Sequence, residues 1–312
     1  MPDESIEPLL GQFIGEECYD ILVQEDCDVF KPNGEPLLKF RKGVIPAEMC
    51  RLTFPVWQLA ATPTDNRGMA AGAPEIGSDG KIKGMRKEHG KIIPAEPGKT
   101  RMKFLKKDGT VAKKTVARTV NSGIVGYMDN RDSRFPFFRL TAFNADHLDQ
   151  FNLAMPMITL VDRLFAQLMP DRHKAQMEWH DRTNKDYKIA GTSFTTLTVN
   201  ANFRTACHRD KGDLEQGFGV LTALRQGNYK GGYLIFPKYR VAVDMQTTDL
   251  LCCDVHTIHG NSAMIGIPGT FNRISLVFYY RKLIANCGSA EQEREKAIHK
   301  TERFYEKQGE LL

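Results

Sequence analysis

After Ile189 the chain breaks into short apolar runs separated by turn residues: SFTTLTVNANF, GFGVLTAL, GGYLIFP, YRVAVDM, DLLCCDV and NRISLVFYYRKL. Runs of this length, rich in β-branched and aromatic residues and bounded by Gly, Asn, Asp and Pro, predict strands. Six of them, so regularly punctuated, point to a double-sheet jelly roll or barrel. Before them the pattern is helical. In LAMPMITLVDRLFAQLMP, residues Ile158, Val161, Leu164, Phe165 and Leu168 recur at the spacing of one helix face, and Pro170 stops the run. The tail from Ser289 predicts a charged helix, with Ser289 and Gln292 placed as a capping box.

The first 60 residues carry shorter apolar stretches. PLLKFRKGVIP reads as a strand, followed by a short helix begun at Pro46-Ala47-Glu48. From about residue 62 to Gly126 periodicity is weak and Gly, Pro and Lys are frequent, which predicts long loops with one hairpin turn at Lys107-Asp108-Gly109-Thr110. The expected division is therefore an N-terminal extension over 1–125 and a β-rich domain with a C-terminal helix over 126–312.

Composition narrows the class without deciding it. An apolar fraction of 41% and a charged fraction of 26% over 312 residues are ordinary for a globular enzyme. No apolar run approaches the length of a membrane span, and MPDESIEPLL lacks the basic-then-apolar pattern of a secretory signal. Seven cysteines, an odd number without a C-x-x-C pair, predict reduced and mostly buried thiols. A cytoplasmic setting is expected, in a bacterium or phage-infected cell, or nuclear in a eukaryote. The net charge of +5 is unevenly spread: Lys81 to Arg118 holds thirteen Lys/Arg against three Asp/Glu. That concentration suggests a polyanionic partner, with Lys103, Lys106, Lys107, Lys113 and Lys114 as candidate phosphate contacts.

The chemistry concentrates late in the chain. His208 and Asp210, in FRTACHRDKGD, are two apart, so in extended chain both side chains face the same way. About fifty residues on, DVHTIHGN ends an apolar run and offers His256 and His259. His259, at the strand mouth, is the better third ligand, and His256 fits a supporting role. Two imidazoles and a carboxylate leave coordination positions open, as non-haem Fe(II) oxygenases require. Arg273 opens the next apolar run, where a fixed guanidinium suits the far carboxylate of 2-oxoglutarate, and Ser275 lies on the same face.

Taken together, FRTACHRDKGD, GGYLIFPKYRVAVDM, DVHTIHGN and RISLVFYYRK resemble the TET/JBP family of 2-oxoglutarate- and Fe(II)-dependent oxygenases, over roughly Gly126 to Gln308. The features FPFFRLTAF and FRTA-H-DKGD are closest to the JBP thymine hydroxylases and their phage and bacterial relatives. The resemblance implies a mainly β chain with flanking helices (α+β) around a double-stranded β-helix core. It implies His208, Asp210 and His259 as iron ligands, Arg273 as the 2-oxoglutarate anchor, and further co-substrate contacts at Ser275 and Asn200. Asp213 and Arg281 fall where the family contacts the base, and Tyr279 where an aromatic packs on it. Asn200 and Arg281 depart from the cysteine and histidine of the animal enzymes. The cysteine-rich zinc segment of those enzymes is missing from this sequence, so no structural zinc is expected.

What this implies is oxidation of a pyrimidine 5-methyl group in DNA with Fe(II), 2-oxoglutarate and O2. The base would be flipped out of a duplex, because a stacked base cannot reach such a site. Thymine is the favoured base and 5-methylcytosine the next. Two other readings stand beside this one: an oxygenase acting on RNA, protein or a small molecule, and a non-catalytic DNA-binding module on the same fold. The sequence leaves oligomeric state open.

Overall fold

The computed structural model describes residues 3–82, 92–93, 95, 99–106 and 108–309. Its frame is a nine-stranded antiparallel sheet. Seven strands of it matter here: β2 (Cys27–Phe30), β3 (Pro36–Arg41), β4 (Val120–Met128), β5 (Thr196–Ala201), β6 (Gly219–Gln226), β9 (Leu250–Cys253) and β11 (Asn272–Tyr279). Their order is β2-β3-β9-β6-β11-β5-β4, with the short strand Pro63–Thr64 on the far edge of β4. A second sheet faces it, made of β1 (Ile21–Val23), β7 (Leu234–Phe236), β8 (Val241–Val243) and β10 (Gly260–Asn261), in the order β1-β8-β7-β10. Two sheets face to face make the jelly-roll core that the strand pattern predicted.

Alternation along each strand assigns the two faces of the large sheet. On β11, Ile274, Leu276 and Phe278 are buried against helices α1 (Ala47–Ala60) and α2 (Leu148–Leu168). Their partners there include Phe54 and Trp57 from α1, and Ile158, Val161 and Phe165 from α2, the face the periodicity picked out. The opposite face of the sheet meets the small one, where Leu221, Leu251 and Cys253 pack on Leu234, Phe236 and Val243. At one end of this inner face the packing gives way to polar groups, and there the candidate site lies. Each buried Leu or Ile in these layers is worth about 2–5 kcal/mol against truncation to Ala.

The expected boundary at residue 125 falls inside β4, and the N-terminal residues are part of the frame. β3 pairs with β9 over Arg41–Leu250 to Leu38–Cys253, and α1 covers the large sheet. VNSGIVGYM reads as loop because its two glycines break the apolar run, yet both are needed where they stand. A Cβ on Gly123 would lie 1.8 Å from Ala60 O, so only glycine lets α1 end against this strand. Gly126 has φ +93°.

At the ends of the elements the local signals hold. Pro170 closes α2 and begins α3 (Pro170–Arg182) directly. The last helix, α4 (Ala290–Gly309), opens on the capping box, with Gln292 N donating to Ser289 Oγ at 3.2 Å and Ser289 N to Gln292 Oε1 at 2.8 Å. Lys106 N bonds to Thr110 O at 2.8 Å and Gly109 takes φ +79°, closing the hairpin turn; Lys107 lies outside the described residues. All seven cysteines are free, five of them buried. Among the described residues no helix is long and apolar enough to cross a membrane.

Candidate active site

The chain passes His208 and His259 antiparallel to one another. His208 N donates to His259 O at 2.9 Å and His259 N to His208 O at 3.1 Å, while Asp210 N bonds to Val255 O at 3.1 Å. N-terminal residues back this segment: Gly11 N reaches Cys207 O and Ala206 N reaches Ala70 O, each at 2.8 Å. The result is a cluster in which one ligand atom from each of His208, Asp210 and His259 lies within 4.8 Å of the other two. Nε2 of His208 is 3.6 Å from Asp210 Oδ1, and Nε2 of His259 is 3.8 Å from Oδ2.

Both imidazoles are oriented from behind. His208 Nδ1 lies 2.8 Å from Ala206 O and His259 Nδ1 2.9 Å from Thr257 O. A carbonyl only accepts, so each Nδ1 carries a proton and each ring turns its Nε2 to the cluster. Burial, and then neighbouring His208, hold the pKa of His259 down at about 4, which keeps that ring neutral at ordinary pH. Two imidazole nitrogens and one carboxylate on a common centre fit Fe(II), with positions left open for co-substrate and O2.

A cavity of about 530 Å³ opens beside the cluster. The inner face of β11 contributes Arg273, Ser275, Val277 and Tyr279, every second residue of one strand. Asn200 and Thr198 line it from β5, where Ser275 is paired with Asn200. Asn200 Oδ1 accepts from Ser122 Oγ. Arg273 is 4% exposed, and among the described residues its guanidinium has no carboxylate partner. Burial lowers its pKa from the ordinary value, with Tyr229 opposing. Gly232 packs on the guanidinium stem, and a Cβ there would lie 3.1 Å from Nε.

At the other end, Asp213 and Arg281 are bridged through their backbones. Asp213 is 9% exposed, and burial, then nearby Asp210, push its carboxyl well above the usual carboxylate range. Arg281, expected where the family contacts the base, is engaged within the protein. Nη1 donates to Asp129 Oδ2 at 3.1 Å and Nη2 to the Tyr279 hydroxyl at 3.0 Å. Asp129 is itself 3% exposed and also receives Arg131 Nε at 2.7 Å. Arg281 therefore braces the tyrosine through its two Nη groups, while its buried Nε has no partner among the described residues. Thr198 Oγ1, 3.3 Å from the same hydroxyl, completes the support.

The structure thus places His208, Asp210, His259, Arg273, Ser275, Asn200, Asp213, Tyr279 and Arg281 around one cavity. His256 is outside the cavity lining but adjoins it: its ring is bonded to Asp254 at 3.3 Å, which in turn holds Lys31 at 2.6 Å, and its Nε2 lies 3.4 Å from Asp213 O. Lys103, Lys106, Lys113 and Lys114 are exposed and outside the cavity lining; their stretch of chain also contributes Met102 and Val116 to a small separate cluster with Ile82. Sequence reasoning missed Arg67, Asp129 and Arg131. Arg67 and Arg131 line the cavity and Asp129 anchors one wall, but none belongs to a recognisable motif.

Fold and site together define a 2-oxoglutarate- and Fe(II)-dependent oxygenase on a jelly-roll core. The Tet_JBP model, the oxygenase domain of the 2OGFeDO superfamily, matches residues 124–282, just over half of the chain, and the chain belongs to that family. It is 38% identical over 180 residues to the thymine dioxygenase JBP1 of Trypanosoma brucei brucei, covering 56% of this chain and 21% of that protein. Identity to JBP1 of Crithidia fasciculata is 36% over 179 residues, 56% of this chain and 22% of the relative. The chain spans about a fifth of the length of these curated relatives. The solved structure of NgTET1 in complex with 5mC DNA shares the fold, with a TM-score of 0.54 over 96% of this chain and all of that one, at 15% identity.

Proposed function

We propose that this chain hydroxylates the 5-methyl group of a pyrimidine in DNA, with thymine as the base and 5-methylcytosine as the second candidate. The observation that carries the reading is one cavity lined by an oriented His-Asp-His cluster and by a buried arginine that has no carboxylate partner among the described residues. His208, Asp210 and His259 would hold Fe(II), which supplies O2 activation when bound. Arg273 takes the far carboxylate of 2-oxoglutarate bidentately, assisted by Ser275 and Asn200. The high-identity relatives are named thymine dioxygenases, which favours thymine.

The residues around the cavity position the substrate. Asp213 meets the polar edge of the base, and Tyr279, locked by Arg281 and Thr198, forms the wall it packs against. The target nucleotide is flipped from a duplex at a cost of a few kcal/mol. The exposed lysines at 103, 106, 113 and 114, with Lys107, contact phosphates, which fix register without reading sequence. A DNA-stimulated succinate assay with nucleoside mass spectrometry tests the reading. Hydroxymethyl base and succinate together support it; succinate unaffected by DNA assigns another substrate, and no turnover with DNA bound leaves only a binding module.

A further inference from the structure

Five described arginines line the cavity: Arg131 and Arg281 pair with Asp129, Arg209 pairs with Glu7, and Arg273 is placed for the co-substrate, which leaves Arg67 without an assigned anion. It comes from the N-terminal region, and its position follows from how α1 meets the sheet. α1 ends at Ala60, against the bare Cα of Gly123. The chain then runs along the edge of β4, pairing Pro63 with Asn121 and Thr64 with Val120. It turns back so that Arg67 Nη2 donates to Gly123 O at 2.9 Å. That single bond fixes the guanidinium at the cavity. Nε is sealed from solvent with no acceptor, and Nη1 bonds to nothing among the described residues.

No carboxylate pairs with Arg67 among the described residues, although burial lowers its pKa from the ordinary value. A half-sealed cation without an anion is costly, and the cost is relieved when a ligand brings the charge. Asp210 is near but belongs to the metal cluster. The far carboxylate of 2-oxoglutarate has Arg273. What remains is an anion on the substrate.

Geometry identifies which one. With the methyl group turned to the cluster, a pyrimidine shows N3 and position 4 on one side, and C6 with the N1-linked sugar on the other. Asp213 and Arg281 close the cavity at the level of Thr195, whose Oγ1 accepts from Arg281 N at 2.9 Å. Gly123, which anchors Arg67, lies opposite Val199, four residues along the same strand. The backbone positions that carry the two groups are thus roughly 13 Å apart along the strand direction, and from its own the Arg67 side chain reaches in toward Tyr279 and Asp210, with Arg281 also within electrostatic range. Asp213 takes the polar edge of the base, and Arg67 takes the side where the sugar and its phosphates emerge. We propose that Arg67 holds a phosphodiester flanking the nucleotide whose base enters the cavity. This deepens the function proposed above and rests on it.

The test reads binding rather than turnover, in the full chain with Mn(II) and 2-oxoglutarate under nitrogen. A fluorescent duplex carries one target thymine, with a neutral methylphosphonate at the phosphate 5′ or 3′ to it. Wild-type protein is expected to lose roughly tenfold in affinity at one of these two substitutions, the size of one lost charge-assisted contact. R67Q is expected to bind the natural duplex about tenfold more weakly, to ignore that methylphosphonate, and to show a salt slope reduced by about 0.9. R67K retains the charge and should restore most of the slope. If R67Q keeps the wild-type slope and the wild-type response to both methylphosphonates, Arg67 touches no phosphate and the inference is wrong. If R67Q does not fold, the wild-type methylphosphonate response together with R67K decides: no loss at either position overturns it. Failure of wild type to oxidise any base, with these binding differences present, would sink the proposed reaction and leave the phosphate contact standing.

Discussion

The two ends of β11 treat an arginine in opposite ways. At one end Arg273 is 4% exposed and has no carboxylate partner among the described residues; beyond the other end Arg281, 8% exposed, is bonded to Asp129 and to the Tyr279 hydroxyl. Both are buried cations, and burial alone disfavours both. The difference is that the protein compensates one with its own carboxylate and gives the other none among the described residues. An arginine already engaged is a brace, whereas one kept without an anion is a receptor. Applied to Arg67, the same criterion places it with Arg273.

The largest expected effect tests the cluster from which both arginines are measured. Asp210→Ala should lower turnover by more than about 100-fold, since even residues that support a ligand are worth 10–100-fold. DNA affinity by anisotropy should stay within about twofold, because no phosphate contact is lost; undiminished turnover would remove Asp210 from the metal. At the receptor end, Arg273→Met should raise the KM for 2-oxoglutarate by about 10–100-fold, the loss of a bidentate charged contact. An unchanged KM would show that the co-substrate binds elsewhere.

The contrast is sharpest in stability without ligands. Asp129→Ala leaves Arg281 buried without its carboxylate and should destabilise the protein by about 3–5 kcal/mol in urea. Arg273→Met removes a cation that has no carboxylate partner among the described residues, and should be neutral or stabilising in the same measurement. Equal destabilisation by both would erase the distinction between brace and receptor. The smallest effects belong to the surface. Neutralising Lys103, Lys106, Lys113 and Lys114 singly should each lower the salt slope of DNA binding by at most about 0.9. A slope unchanged by all four together would make that segment an ordinary solvated face.

The brace was hidden in the sequence and the receptor was legible, for physical reasons. Arg273 opens a strand fourteen residues after His259, and strand alternation alone puts it on the face of Ser275 and Tyr279. His208 and Asp210 were readable for the same reason. Arg281 was visible as a candidate, but its partner Asp129 lies 152 residues away, and only the fold brings them together. Arg67 depends on a close approach between Ala60 and a glycine in β4, which no local pattern encodes. That same glycine made β4 look like loop, so the expected boundary at residue 125 falls within a strand. Short-range chemistry such as the Ser289–Gln292 capping box survives translation into structure, because both partners lie within one helical turn.

The most direct measurement is nucleoside mass spectrometry after incubating the full chain with Fe(II), 2-oxoglutarate, O2 and two duplexes, one unmodified and one containing 5-methylcytosine. 5-Hydroxymethyluracil from thymine is expected in both, with stoichiometric succinate. Hydroxymethylcytosine alone would reassign the base, and succinate without any hydroxymethylated base would contradict the proposed substrate.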